Sequence, residues 1–366
     1  MIGLALSGGG SRAIAFHLGC LRALSDLGIL DKIGVLSTIS GGSVIGAYYA
    51  YTPMKPFDEF ESDICSFLRK GFQRSIAIEL AKPTNFIPCF SNFLIVQLLE
   101  VAGFLSSRLP KLQRYPSRTD MFRRVLERDM FHGLTLSSPR RNDLSVVIGS
   151  CELRTGSAFR FGDQKSGGWR QGEIVKGELD VSFSVAASAA YPIFLPALDR
   201  TWLFQKSGRE KTHRVLLTDG GVYDNLGIQV LEPGRNPDVS LHSFPCEYLI
   251  SCNAGHGQDT GEGLPLVFLP RVKRSFEVVH RRVQDSAMNR LHHLKEAGIL
   301  KGFAMPYLGQ QDNNLPWKPV TLRSREDVLD YPTDFAAMSD KWIEILSERG
   351  EQLTMALVTY YLRDLL

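Results

Sequence analysis

Net charge, paired cysteines and long apolar runs are all scarce in this chain, and each scarcity excludes something. Forty-two Lys and Arg stand against 39 Asp and Glu, leaving a formal charge of +3. That is too weak to imply a nucleic-acid partner, and none is expected. Cys20, Cys65, Cys89, Cys151, Cys246 and Cys252 are scattered, mostly inside apolar runs, and form no Cys-x-x-Cys or other metal-ligand spacing. The expectation is free buried thiols in a reducing, cytoplasmic compartment, with no metal and no cofactor. The greasiest stretch, residues 86–109, is broken by Pro88, Asn92, Gln97 and Glu100. It falls short of the roughly 20 clean apolar residues that a membrane span needs. The apolar opening, Met1-Ile2-Gly3-Leu4-Ala5-Leu6, has no basic flank and meets Gly8-Gly9-Gly10 after a strand's length. It reads as a strand rather than a signal peptide. No period recurs, which excludes repeat, coiled-coil and collagen-like chains.

What is present is globular composition: 366 residues, 44% hydrophobic and 22% charged. Such a chain buries a large core without disulfide or metal staples. Residues 2–7 read as a buried strand, residues 11–27 as a helix stopped by Gly28, residues 33–39 as a second strand, and Gly41-Gly42 opens a second helix. That alternation predicts a parallel sheet with right-handed crossovers. Residues 144–152, 215–218 and 248–251 read as further strands, with residues 157–162 as a hairpin partner to the first. Helices are expected over the small-residue run 181–190, over 271–297, and from about 334 to the end. The chain is expected to form one domain over 1–366, with a helical, lid-like insertion at 52–137 and a mainly helical C-terminal extension at 303–366.

Three strand-end motifs carry candidate chemistry. In Ser7-Gly8-Gly9-Gly10-Ser11-Arg12, consecutive glycines before a helix let backbone N–H groups converge on a phosphate or a developing oxyanion. A tight turn needing glycine only for its dihedrals is the plainer alternative. In Thr38-Ile39-Ser40-Gly41-Gly42, Ser40 stands where a nucleophile elbow places its serine, although Thr38 occupies a position where glycine is usual. Ser37 and Ser43 fit worse, and a helix-capping serine is the alternative for Ser40. In Thr218-Asp219-Gly220-Gly221, an aspartate ends a buried strand, where α/β sheets place their sites. A serine hydroxyl becomes a nucleophile when a nearby acceptor takes its proton, and a desolvated carboxylate can be that acceptor. None of the eight histidines has the context of a triad base. His256, just past a strand end, is kept in reserve, and His292-His293 face apart on a helix.

Taken in order, the Gly-rich loop, elbow serine and distant Asp-Gly resemble the patatin-like phospholipase family of lipid acyl hydrolases. Arg12, the run Ala187-Ser188-Ala189-Ala190-Tyr191-Pro192, and Val222-Tyr223-Asp224-Asn225 extend the match. The resemblance is good over residues 2–50 and about 144–230, continues more weakly through 302, and is thin elsewhere. It implies a three-layer α/β/α sandwich with a mostly parallel central sheet and a helical insertion. It further implies a Ser40–Asp219 dyad, an oxyanion hole from Gly8, Gly9, Gly10 and Gly41, and Arg12 as a loop buttress or a group that binds substrate phosphate. The implied activity is cleavage of fatty-acyl esters through an acyl-enzyme, of phospholipase A, lysophospholipase or lipase type. Thr38, and Ala13 where glycine often follows the arginine, depart from the family pattern.

Two rivals are a catalytically inactive lipid-binding relative and a dinucleotide-binding module. Gly8, Gly10 and Ala13 fit the loose G-x-G-x-x-A pattern, but the second strand ends without the acid that fold requires. No Gly-Lys-Ser/Thr occurs, so a P-loop is excluded. A lipid enzyme must also reach an interface, which makes a peripheral membrane surface the expected partner besides the lipid itself. Residues 92–109 combine Phe93, Leu94, Ile95, Leu98, Leu99, Phe104 and Leu105 with Arg108, Lys111 and Arg114. These residues suit a docking helix, although a helix buried within the insertion is the favoured reading.

Overall fold

The computed structural model describes residues 1–103, 112–175, 177–192, 194–257, 261 and 266–366. Its centre is a sheet in the order β10-β9-β1-β2-β3-β4-β5-β6-β7-β8. The first five of these, β10 (Gly302–Ala304), β9 (Tyr248–Cys252), β1 (Ile2–Leu6), β2 (Ile33–Ile39) and β3 (Ser145–Glu152), run parallel. Alternation along these strands feeds two cores. Leu4, Leu6, Leu36, Val146 and Ile148 face one, while Ala5, Val35, Val147 and Leu249 face the other. The first core is closed by α1 (Gly10–Asp26), α2 (Gly41–Tyr51), α3 (Phe57–Lys70) and α10 (Asp340–Tyr361). The second is closed by Leu226, Ile228, Val230 and Leu231 with Ala287 and Leu291 of α9 (Phe268–Glu296). Helix α1 ends where Gly28 takes a φ of 63°.

Beyond β3 the sheet turns antiparallel through β4 (Ser157–Gly162), β5 (Ser166–Gly168), β6 (Gly172–Ile174), β7 (Leu198–Lys206) and β8 (Arg209–Asp219). It then curls until β8 meets β3 again, with Ser150 beside Asp219. The parallel half expected from the sequence is therefore extended by an antiparallel half, so the whole sheet is mixed. The register decides where the site lies. Leu6 pairs with Thr38 and Cys252, Ile39 pairs with Gly149, and Asp219 sits one residue further along β3. The ends of β1, β2 and β8 therefore converge at one edge.

Residues 52–137 hold α3, α4 (Gln73–Ala81), α5 (Pro83–Gly103) and α6 (Arg118–Leu126). Helix α3 buries the stripe Phe60, Ile64 and Leu68, and α6 starts at a Ser117/Asp120 capping box. Helix α5 does not match the favoured expectation of a buried insertion helix. Phe86, Ile87, Phe90, Leu94 and Leu98 are exposed, Leu98 by 69%. The expected continuation through Phe104, Leu105, Arg108, Leu109 and Lys111 lies outside the described residues. Among the described residues, no helix is long and apolar enough to cross a membrane.

Residues 303–366 are less helical than expected. After β10, residues 305–339 contain only short 3-10 turns, and the one long helix is α10. Arg349 of α10, 0% exposed, pins this irregular chain. Its guanidinium donates to Asp312 and to the carbonyls of Gln310 and Arg323, each at 2.7 Å. Helix formation there is replaced by a buried charge satisfying loop carbonyls.

Candidate active site

Ser40 closes β2 in a left-handed conformation, φ 52° and ψ −118°, rare for a residue with a side chain. The strain is held by hydrogen bonds from both sides. Ser40 N donates to Ser188 Oγ at 2.9 Å, and Ser188 Oγ also meets Ser43 Oγ at 2.8 Å. The turn leaves Gly41 directly on the Gly-rich loop, where a Cβ would lie 2.3 Å from Gly10 O. Thr38, the departure from the elbow pattern, is accommodated from the helix side. Its Cγ2 occupies space that a Cβ at Gly46 would contest at 2.6 Å. The usual glycine on the strand is thus replaced by one on α2.

Gly9 and Gly10 take φ values of 149° and 61°, which only glycine adopts easily. Among the described residues, the N–H groups of Gly9, Gly10 and Gly41 have no protein acceptor. Gly8 differs: its N–H donates to Asn225 O at 3.2 Å, so it is spent on holding the loop. Of the four glycines expected to supply oxyanion donors, Gly9, Gly10 and Gly41 keep N–H groups without a protein acceptor among the described residues.

Asp219, 4% exposed, ends β8 and turns back through Gly220 and Gly221. Burial pushes its carboxyl up to about 7, while the neighbouring Ser40 hydroxyl and the hydrogen bond from Gly221 N–H draw it back down. The Gly221 bond is 2.7 Å. The run around Ser188 fixes this strand end: Asp219 N donates to Ala190 O and Gly220 N to Ser188 O, each at 3.0 Å. One residue, Ser188, therefore positions both Ser40 and the Asp219 turn. The sequence marked its segment but assigned it no role.

Arg12 is buried on α1, with its guanidinium hydrogen-bonded to neighbouring loops. Nε donates to Ala254 O at 2.9 Å, and one terminal nitrogen donates to Thr333 Oγ1 at 2.6 Å and to His256 Nδ1 at 3.1 Å. His256, held in reserve as a base, is committed elsewhere. Its Nε2 donates to Tyr331 O at 2.8 Å, and burial, reinforced by the Arg12 charge, lowers its pKa to about 4. It shares no hydrogen bond with Ser40 among the described residues.

Gly8, Gly9, Gly10, Arg12, Ser40 and Asp219 all line one cavity of about 940 Å³. Ile76 and Leu80 of α4, Phe194, Leu195, and Phe276 of α9 supply its apolar walls. His280 of α9 also lines it, a neighbour of the Asp219 turn that no sequence motif indicated. Charged side chains including Lys273, Glu277, Arg281 and Asp334 complete the lining, so apolar walls meet convergent polar groups as in a ligand site. Chemically, it sets a hydroxyl beside an acid able to accept a proton near neutral pH, with open N–H donors adjoining.

A sequence model described as patatin-like phospholipase matches residues 4–231. The chain belongs to that family. Among solved structures, human GIVD cytosolic phospholipase A2 superposes with a TM-score of 0.56 over 97% of this chain, at 14% identity. The same human protein in complex with methyl gamma-linolenyl fluorophosphonate inhibitor and terbium chloride gives 0.52, also over 97% of this chain and at 14% identity. The chain spans 61% of the first of those structures and 57% of the second. At that identity the likeness shows a shared fold, a patatin-like α/β architecture. No curated protein matches the sequence.

Proposed function

We infer that this chain is a serine acyl hydrolase that cleaves fatty-acyl ester bonds of phospholipids, lysophospholipids or glycerides. The observation that carries the reading is the pairing of Ser40, strained at its turn, with a desolvated Asp219 at the base of a large apolar-walled cavity. Asp219 takes the Ser40 hydroxyl proton as Oγ attacks the acyl carbonyl carbon. The carbonyl oxygen gains negative charge, which the N–H groups of Gly9, Gly10 and Gly41 stabilise. The ester C–O bond breaks, and Asp219 returns the proton to the departing alcohol. Water, deprotonated by the same carboxylate, then attacks the Ser40 ester; the acyl–Oγ bond breaks, Asp219 returns the proton to Ser40 Oγ, and the fatty acid leaves. An acyl chain along the apolar walls lowers the polarity around Asp219 and so preserves its raised basicity. Arg12 lends positive charge to the same wall, which suits a lipid phosphate.

Access to substrate follows from the rim. Helix α5 packs on α4, which forms one wall of the cavity, and exposes Phe90, Leu94 and Leu98. On the α9 side, Val272, Val279 and Val283 are also exposed near the wall residue Phe276. Two apolar surfaces flanking one opening suit docking on a lipid surface.

The test is turnover of short- and long-chain p-nitrophenyl esters and of phospholipid vesicles by wild type, Ser40→Ala and Asp219→Asn. Activity in wild type that falls by at least about a thousandfold in each variant is expected. A folded wild type inactive on all of these substrates supports a lipid-binding relative without chemistry.

A further inference from the structure

We propose that His17, Cys20 and Cys252 form a site for a single zinc-class divalent ion, buried behind the Gly-rich loop. His17 and Cys20 lie one turn apart on α1 and share a face, and Cys252 is the last residue of β9. A ring nitrogen of His17 and the two sulfurs lie within 4.8 Å of one another, and all three residues are buried. Spacing in the sequence conceals the cluster, because only the sheet brings Cys252 to α1.

A second observation points to a ligand. His17 Nε2 donates to Ser7 O at 2.9 Å, which fixes the tautomer and leaves Nδ1 with its lone pair. That Nδ1 is fully buried and has no hydrogen-bond partner. A buried acceptor left unsatisfied is costly and needs a reason. A backbone carbonyl holding the far N–H of an imidazole is also how proteins orient a metal-bound histidine. Thr354 Oγ1, beside Cys20 on α10, is likewise buried without a hydrogen-bond partner.

The chemistry selects the ion. Two thiolates and an imidazole nitrogen form a three-residue N/S set of the zinc kind, with the fourth position left to a solvent-derived ligand. A divalent ion with two thiolates sums to zero charge, which removes most of the penalty for burying either. Binding sends the two thiol protons to solvent. Tetrahedral zinc needs ligand separations of about 3.5–3.8 Å, so the cluster contracts by at most about 1.3 Å. The bound ion would join α1 and β9 at the root of the loop. Ser7 N already donates to Cys252 O at 3.1 Å, and Gly8 follows Ser7 directly. The site stands independently of the proposed hydrolysis, since neither Ser40 nor Asp219 takes part.

The experiment uses the full chain, tag removed, reduced and stripped with chelator, titrated with Co²⁺ and then Zn²⁺. Expected are thiolate-to-cobalt charge transfer and intense tetrahedral visible bands saturating at one equivalent, with Zn²⁺ displacing the cobalt. Cys20→Ala and Cys252→Ser should each weaken binding by at least the roughly 10–100-fold that even an outer-shell loss costs. Cys151→Ala, a buried cysteine elsewhere, should leave the titration unchanged. Absence of the bands in wild type overturns the proposal without reference to any variant. So does a signal that survives Cys20→Ala, or a Cys20–Cys252 disulfide persisting in the reduced protein.

Discussion

Replacing Asp219 with Asn should make the protein more stable while removing its activity, and the gain should depend on pH. The carboxyl is nearly excluded from water, and burial lifts its pKa from the ordinary 3.8 to about 7 despite donors from Ser40 and Gly221. A raised folded-state pKa means that the native state holds the proton more tightly than the unfolded chain. The resulting stabilisation is complete below about pH 4 and is lost as pH rises through about 7. At roughly 1.36 kcal/mol per tenfold change in proton affinity, the whole loss is about 4 kcal/mol, of which about 3 kcal/mol falls between pH 5 and pH 8. The amide keeps an oxygen for the 2.7 Å bond from Gly221 N–H and carries no charge to desolvate. Urea denaturation of wild type and Asp219→Asn at both pH values reads the effect directly. The variant's advantage should grow by about 3 kcal/mol from pH 5 to pH 8. A difference that stays constant with pH would refute the claim that Asp219 is a buried acid strained by its own charge.

Turnover of a pH-stable soluble ester should rise about tenfold per pH unit below 7 and level off above it, because Asp219 must be ionised to act as base; a flat profile from pH 5 to 8 counts against that role. Leu94→Ser combined with Leu98→Ser should weaken binding to phospholipid vesicles by at least about tenfold while sparing soluble ester hydrolysis, since each exposed leucine offers roughly 1.5–3 kcal/mol on burial. Unchanged vesicle binding in a sedimentation assay would remove α5 from the docking surface. Arg349→Met should lower stability by about 3–5 kcal/mol in denaturant titration, because it leaves Asp312 and loop carbonyls without their buried partner.

The parts of the site nearest to glycine were legible in the sequence. Ser7-Gly8-Gly9-Gly10, Ser40-Gly41-Gly42 and Asp219-Gly220-Gly221 are strand ends where the backbone turns sharply, and residue type alone records that demand. Roles set by tertiary contact were not legible. Nothing local shows that Ser188 Oγ receives Ser40 N, or that Asn225 O occupies Gly8 N–H. The β7–β8 hairpin was missed beyond residues 215–218 because residues 209–212 are polar and exposed. Its remaining signal was Ser207-Gly208, a two-residue turn with φ values of 50° and 76°. Helix α5 shows the limit of hydrophobicity itself. Its apolar residues surround the helix, so composition favoured burial, whereas the fold presents many of them outward. Residues 305–339 gave no periodicity to read, because Arg349 organises them from a distant helix.

The most direct measurement is covalent labelling of the intact protein with a fluorophosphonate, followed by peptide mass mapping. The account predicts one adduct per chain on the peptide containing Ser40, absent in Ser40→Ala and slowed in Asp219→Asn. An adduct that persists in Ser40→Ala, or maps to another serine, would contradict it.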